Sequence, residues 1–202
     1  MGICYVIGAG EMYGAPEPTD KDLVIAADGG YDAARSLDIM PDLLIGDMDS
    51  INAVPKSVDT LRVPVEKDET DTYLCYREGV RRGYTDFMIY GGVGGRDDHT
   101  FANYSLLIGA KNDGNRVTLV GERFNIFAIK NEKISIIGRT GAMLSVFAFA
   151  GECSGVTITG CKYNTDSVTL SPTFPLGVSN EITDDTATVE VTDGTLLIMV
   201  EK

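Results

Sequence analysis

Two textures divide this sequence, and no single regular architecture accommodates both. Before about Arg116, short aliphatic runs at residues 4–8, 23–27, 43–45 and 87–90 read as buried strands. Between them, residues 31–39 and 70–82 show helical spacing, and residues 100–111 carry apolar side chains at 101, 102, 106, 107 and 110. Such alternation predicts a largely parallel sheet with helical crossovers. From about Arg116 the helical period vanishes. Runs at 117–120, 125–129, 133–137, 143–149, 156–159, 186–191 and 196–200 follow one another between Gly, Asn, Asp and Pro turns, the pattern of an antiparallel sandwich or jelly roll. A length of 202 residues has room for both. The expected fold is an α/β N-terminal domain with a mostly parallel sheet over residues 1–123, followed by an all-β C-terminal sandwich or jelly roll over 124–202.

Composition narrows the classes of function. The longest apolar stretch, residues 142–150 with Ser145 inside it, falls well short of the roughly 20 residues that span a bilayer, so no membrane segment is expected. The opening Met-Gly-Ile-Cys-Tyr-Val-Ile reads as a first strand, not a leader, and a cytoplasmic protein is expected. Cys4, Cys75, Cys153 and Cys161 are scattered without a C-x-x-C pair and there is one histidine, which points to reduced structural thiols and away from zinc. A net charge of −13 would repel a nucleic-acid backbone, so nucleic acid is not an expected partner. A polyphosphate is a different matter: carboxylates that hold Mg²⁺ reverse the local sign of the field.

Four acidic or glycine-rich clusters fall at the ends of strands in the first half: Asp28-Gly29-Gly30, Gly46-Asp47-Met48-Asp49-Ser50, Lys67-Asp68-Glu69-Thr70-Asp71 and Gly94-Gly95-Arg96-Asp97-Asp98-His99. In an open parallel sheet the carboxyl ends of the strands share one edge, and ligands bind in the crevice outside it. Asp28, Asp47 and Asp98 are therefore expected to converge. Asp47 and Asp49 are two apart and would face the same side of a continuing strand, where a shared Mg²⁺ would offset their repulsion. Any one cluster taken alone reads as a turn whose acid caps a helix or meets solvent. Their recurrence after successive buried strands favours a site.

The run Gly91-Gly92-Val93-Gly94-Gly95-Arg96 follows a strand and precedes a helix, so backbone N–H groups could approach a phosphate while Arg96 supplies a fork of donors. Its spacing is not that of a P-loop. Gly8-Ala9-Gly10 is not read as a dinucleotide turn, because Pro16 and Pro18 break the segment that would need a long helix and the third glycine, Gly14, comes one position late. His99 reads as an oriented hydrogen-bonding residue or a helix start before it reads as a general base.

Taken in order, these clusters resemble the thiamine pyrophosphokinase family. The resemblance extends through Gly160-Cys161-Lys162-Tyr163, Gly177-Val178-Ser179-Asn180-Glu181 and Gly194-Thr195-Leu196-Leu197, and so covers nearly the whole chain. It implies transfer of a pyrophosphoryl group from ATP to thiamine, with Mg²⁺ as cofactor, in a homodimer whose active sites lie between subunits. It also implies that Asp28, Asp47, Asp49 and Asp71 bind the metal and the ATP phosphates, and that Gly29, Lys67, Asp68, Thr70 and Arg96 serve ATP. Asp71 and Asp98 become the candidate catalytic carboxylates, and Ser179 and Asn180 help to form the thiamine pocket. The chain departs from the family pattern at Asp97, where a Phe or similar residue is usual, and at Ile182, where many members carry an aromatic that can stack on thiamine. The same chemistry on another hydroxymethyl heterocycle such as a pterin, a Mg²⁺-dependent phosphohydrolase, and a non-catalytic nucleotide-binding module are the alternatives.

Overall fold

The computed structural model describes residues 2–49, 51, 57–64, 66 and 68–202, so the expected phosphate contact Lys67 lies outside the described residues. The chain divides into two units. One holds Met1–Leu106 with Gly114–Glu122, the other Leu107–Asp113 with Arg123–Lys202.

The first unit is built on strands β1 (Cys4–Ile7), β2 (Leu23–Ala27), β3 (Leu43–Gly46), β4 (Asp59–Arg62), β5 (Asp86–Tyr90) and β6 (Arg116–Val120). They lie in the order β6-β5-β1-β2-β3-β4 and every pairing among them is parallel. β1, β2 and β3 bury all their residues, which is why they read as unbroken apolar runs. The chain winds outward from β1 to β4, then returns to the other side of β1 for β5 and β6. That reversal puts a topological switch point between β1 and β5, the place where such sheets open a crevice.

β4 escaped the sequence analysis because it is an edge strand of polar composition, with Asp59, Leu61 and Arg62 exposed. Residues 117–120, expected to open the antiparallel half, instead pair in parallel with β5. Helices α1 (Gly30–Ser36), α2 (Asp71–Arg81) and α3 (Asp97–Asn112) occupy the three helical segments. α3 begins at Asp97, earlier than its apolar pattern indicates, because Asp97 and Asp98 in its first turn suit the positive end of the helix dipole.

The second unit holds β7 (Phe124–Lys130), β8 (Lys133–Ile137), β9 (Met143–Ala148), β10 (Cys153–Thr159), β11 (Thr165–Leu170), β12 (Asn180–Glu181), β13 (Thr186–Glu190) and β14 (Thr195–Glu201). All pairings within it are antiparallel, in the orders β12-β9-β14-β7 and β11-β10-β13-β8. Leu144, Val146, Leu196 and Ile198 from one set and Val156, Ile158, Ala187 and Val189 from the other share a single buried cluster. β11 and β12 were not foreseen. β11 is largely exposed, shifts register against β10, and carries Ser167 at φ +51°, so no clean alternation marks it.

Candidate active site

The cavity at the switch point begins with backbone. The Gly8 N–H donates to the Tyr90 carbonyl at 2.8 Å and the Gly10 N–H to the Gly91 carbonyl at 3.0 Å, so the turns leaving β1 and β5 lie against each other. A Cβ on Gly8 or Gly10 would stand 2.6 or 2.7 Å from the Gly91 oxygen, and one on Gly91 would stand 2.5 Å from the Gly8 oxygen. Side chains are excluded there by contact. Buried Asn103, on α3, donates from Nδ2 to the Gly92 carbonyl at 2.7 Å and pins the same turn.

The carboxylates stand along the adjoining strand ends. Asp28 follows β2, is buried, and sits at φ +44° with its N–H donating to the Ile45 carbonyl at 2.8 Å. Its Oδ1 accepts the Met48 N–H at 3.1 Å. Gly46 ends β3 directly beneath it, since a Cβ on Gly46 would be 2.7 Å from that of Asp28. Asp47 and Asp49 reach one side by another route than a continuing strand. The strand stops at Gly46 and the chain turns through Met48 at φ +73°, with the Asp49 N–H donating to Asp47 Oδ1 at 3.0 Å. The turn still delivers the pair to one side. Carboxylate oxygens of Asp28, Asp47 and Asp49 lie within 4.8 Å of one another. Three hard oxygen donors at such spacing repel one another unless a cation joins them, and they are of the class that takes Mg²⁺.

Around this trio a cavity of about 540 Å³ is lined by residues including Ala9, Gly10, Asp71, Thr72, Arg96 and His99. Thr70 caps α2, its Oγ1 accepting the Tyr73 N–H at 3.2 Å, which sets Asp71 on the first helical turn at the cavity wall. Gly29 caps α1 without a side-chain bond, and Asp68 is exposed; neither lines the cavity. Asp98 does not line it either. Its Oδ1 accepts from Arg96 Nε at 3.1 Å and from the His99 N–H at 2.9 Å, and its Oδ2 accepts from Arg96 Nη2 at 2.6 Å. The convergence expected of Asp28, Asp47 and Asp98 thus holds for the first two only. The bonds from Arg96 also hold the Asp98 carboxyl down at about 2.

In the second unit the family-like stretches 160–163 and 177–181 meet. Buried Asn180 accepts at Oδ1 from the N–H groups of Tyr163 at 2.9 Å and Glu181 at 3.0 Å, and donates from Nδ2 to the Tyr163 carbonyl at 2.7 Å. Its carboxamide is occupied in holding that loop. Ser179 is exposed at φ +59°, and its N–H donates to Ser145 Oγ at 3.1 Å. Ile182 is fully buried in the cluster between the strands, so it fills core and offers no stacking surface.

Two family models match. "Thiamin pyrophosphokinase, catalytic domain" covers residues 18–119, and "Thiamin pyrophosphokinase, vitamin B1 binding domain" covers 128–196. The chain belongs to the thiamin pyrophosphokinase family, a family of transferases. Among its relatives, thiamine pyrophosphokinase of Bacillus subtilis is 28% identical over 190 residues, 90% of this chain and 87% of that one. Thiamin pyrophosphokinase 1 of Caenorhabditis elegans is 25% identical over 175 residues, 79% and 71% of the two chains. The crystal structure of the Bacillus subtilis thiamine pyrophosphokinase superposes with a TM-score of 0.88 at 23% identity, covering 99% of this chain and 98% of that one. The yeast thiamin pyrophosphokinase gives 0.76 at 16% identity over 99% and 86%. These structures share the fold. In this thiamin pyrophosphokinase-family chain Thr72 and Asn103 also line the cavity, though no motif marks them in the sequence, and so do Ala9 and Gly10. Gly8-Ala9-Gly10 was visible as a glycine turn, but weighing it only as a dinucleotide fingerprint hid its use as a wall.

Proposed function

We propose that this chain transfers the pyrophosphoryl group of ATP to the hydroxyl of thiamine, giving thiamine diphosphate and AMP. The observation that carries the reading is the Asp28, Asp47 and Asp49 trio, set beside a glycine-walled cavity that Arg96 also lines. A Mg²⁺ ion would be held by these three, with Asp71 on the wall beside them, and would neutralise phosphate charge and orient the polyphosphate. Residues 1–123 form the catalytic domain, where Lys67, Thr70 and Arg96 serve ATP. Residues 124–202 form a β-sandwich that binds thiamine and pairs two copies, so that Ser179, shaped by Asn180, completes the site of a partner chain in a homodimer. The protein acts in the cytoplasm, without nucleic acid or membrane partners. Among the described residues no helix is long and apolar enough to cross a membrane.

In the transfer, the thiamine hydroxyl oxygen forms a bond to the β-phosphorus as the bond from that phosphorus to the α–β bridging oxygen breaks. AMP departs with the bridging oxygen. Most of the catalysis is positioning and charge stabilisation, which falls to Arg96, with the acidic wall contributing through the cation it would hold. The hydroxyl proton passes late to a carboxylate. Asp98, engaged by Arg96 through both oxygens and held near 2, accepts protons poorly, so Asp71 on the cavity wall takes that role. Incubation with ATP and thiamine, with product mass measured, tests the reading: thiamine diphosphate and AMP in equal amounts are expected. AMP formed only with a different alcohol would replace thiamine as substrate, and ATP turnover without any acceptor would make the protein a hydrolase.

A further inference from the structure

The residue between Asp47 and Asp49 is an unusual choice for its position. Met48 sits at φ +73°, a left-handed conformation that glycine or asparagine adopts with ease and a residue with a bulky side chain seldom does. An exposed turn would favour glycine there. Met48 is instead buried, and its side chain belongs to a small apolar cluster with Ala26 of β2, Leu44 of β3 and Val58. The N–H of Met48 meanwhile donates to Asp28 Oδ1 at 3.1 Å. One residue is thus tied at its backbone to the first carboxylate and at its side chain to the strand that leads into Asp28 and the strand that ends at Gly46. The turn it holds carries two like charges that push it open.

We propose that Met48 is a positioning residue, an apolar anchor that keeps the Asp47–Asp49 turn folded against Asp28 so that the three carboxylates are in place before the ion arrives. This rests on the reading of the trio as the ion site. Sites of this kind gain affinity from neighbours that fix the ligands while touching neither ion nor substrate.

The experiment is Mn²⁺ binding to the whole protein, followed by electron paramagnetic resonance with and without α,β-methylene-ATP. Met48→Leu keeps the apolar bulk and is expected within about threefold of the wild-type affinity. Met48→Gly takes φ +73° freely but has no anchor, and is expected to bind roughly tenfold more weakly. Val58→Ala loosens the cluster without altering the turn, so a folded protein with about threefold weaker binding is expected even if the glycine variant proves unstable. Wild-type affinity in both Met48→Gly and Val58→Ala would show that the turn holds itself, and would overturn the proposal while leaving the ion site intact. Asp47→Asn serves as the control. If it binds Mn²⁺ as the wild type does, the trio is not the ion site and the role of Met48 falls with it.

Discussion

Arg96 grips Asp98, two residues along the chain, with one edge of its guanidinium: Nε meets Oδ1 at 3.1 Å and Nη2 meets Oδ2 at 2.6 Å. A guanidinium has five N–H donors, so a fork spent on one carboxylate leaves others for a phosphate. The pair is exposed, with 70% and 66% of the two side chains accessible, and its worth lies in aim more than in stability.

Asp98→Asn should therefore leave the melting temperature unchanged and raise the half-saturating ATP concentration by roughly 3- to 10-fold, with turnover at saturation largely kept. Steady-state kinetics check this. Because Asp98 is ionised down to about 2, it should add no acidic limb to the pH–rate profile above that range. Loss of turnover by a thousandfold with ATP affinity intact would make Asp98, not Asp71, the proton acceptor.

Asp47→Asn and Asp49→Asn should each lower transfer at least about 100-fold, since each removes a charged metal ligand. The same changes relieve repulsion among carboxylates within 4.8 Å of one another. In chelator-treated buffer both variants should melt about 1–3 °C above the wild type, an order that Mg²⁺ with ATP reverses. Differential scanning calorimetry with and without the ion measures it.

Asn180 and Ser179 should separate stability from binding. Asn180→Ala removes a buried carboxamide and leaves the part-buried N–H and carbonyl of Tyr163 without their partner, at a cost of about 1–2 kcal/mol and a fall in melting temperature of about 2–8 °C. Ser179→Ala removes an exposed hydroxyl and should leave melting unchanged while raising the KM for thiamine several-fold. Equal KM values for Ser179→Ala and wild type would remove Ser179 from the thiamine pocket.

Near the end of α2, Glu78 accepts from Arg81 Nε and Nη2, both at 2.7 Å, and from Arg82 Nε at 2.8 Å. The bonds from Arg81 first, and those from Arg82 with them, lower its carboxyl from 4.5 to about 2. A depressed carboxylate stabilises the fold above its unfolded value and loses that contribution as pH falls through its folded one. Glu78→Gln should melt about 2–5 °C below wild type at pH 7, with the gap closing between pH 4.5 and about 2. Thermal melts across that range test the window.

Elements buried on both faces were legible in the sequence, because β1, β2 and β3 leave no polar position to confuse the pattern. β4 and β11 were not, since exposed strands carry the composition of loops. The acidic edge was legible for a topological reason: parallel strands must all end on one side, so Asp28 and Asp47 had to be neighbours whatever the loops did. How Asp49 joins them was not, because a left-handed methionine leaves no mark in a residue pattern. Asp98 misled for a related reason. Position on an edge does not fix where a side chain points, and a neighbouring arginine claimed it.

The interlocked turns of Gly8, Gly10 and Gly91 carry a consequence for how this cavity can change over generations. Peptide groups, the one part of a protein that mutation does not rewrite, make up that stretch of its lining, and a methyl added to any of the three meets a carbonyl oxygen at 2.5 to 2.7 Å. Divergence toward another ligand is thereby channelled to the walls that do bear side chains. The glycine face stays the same in every descendant that still folds.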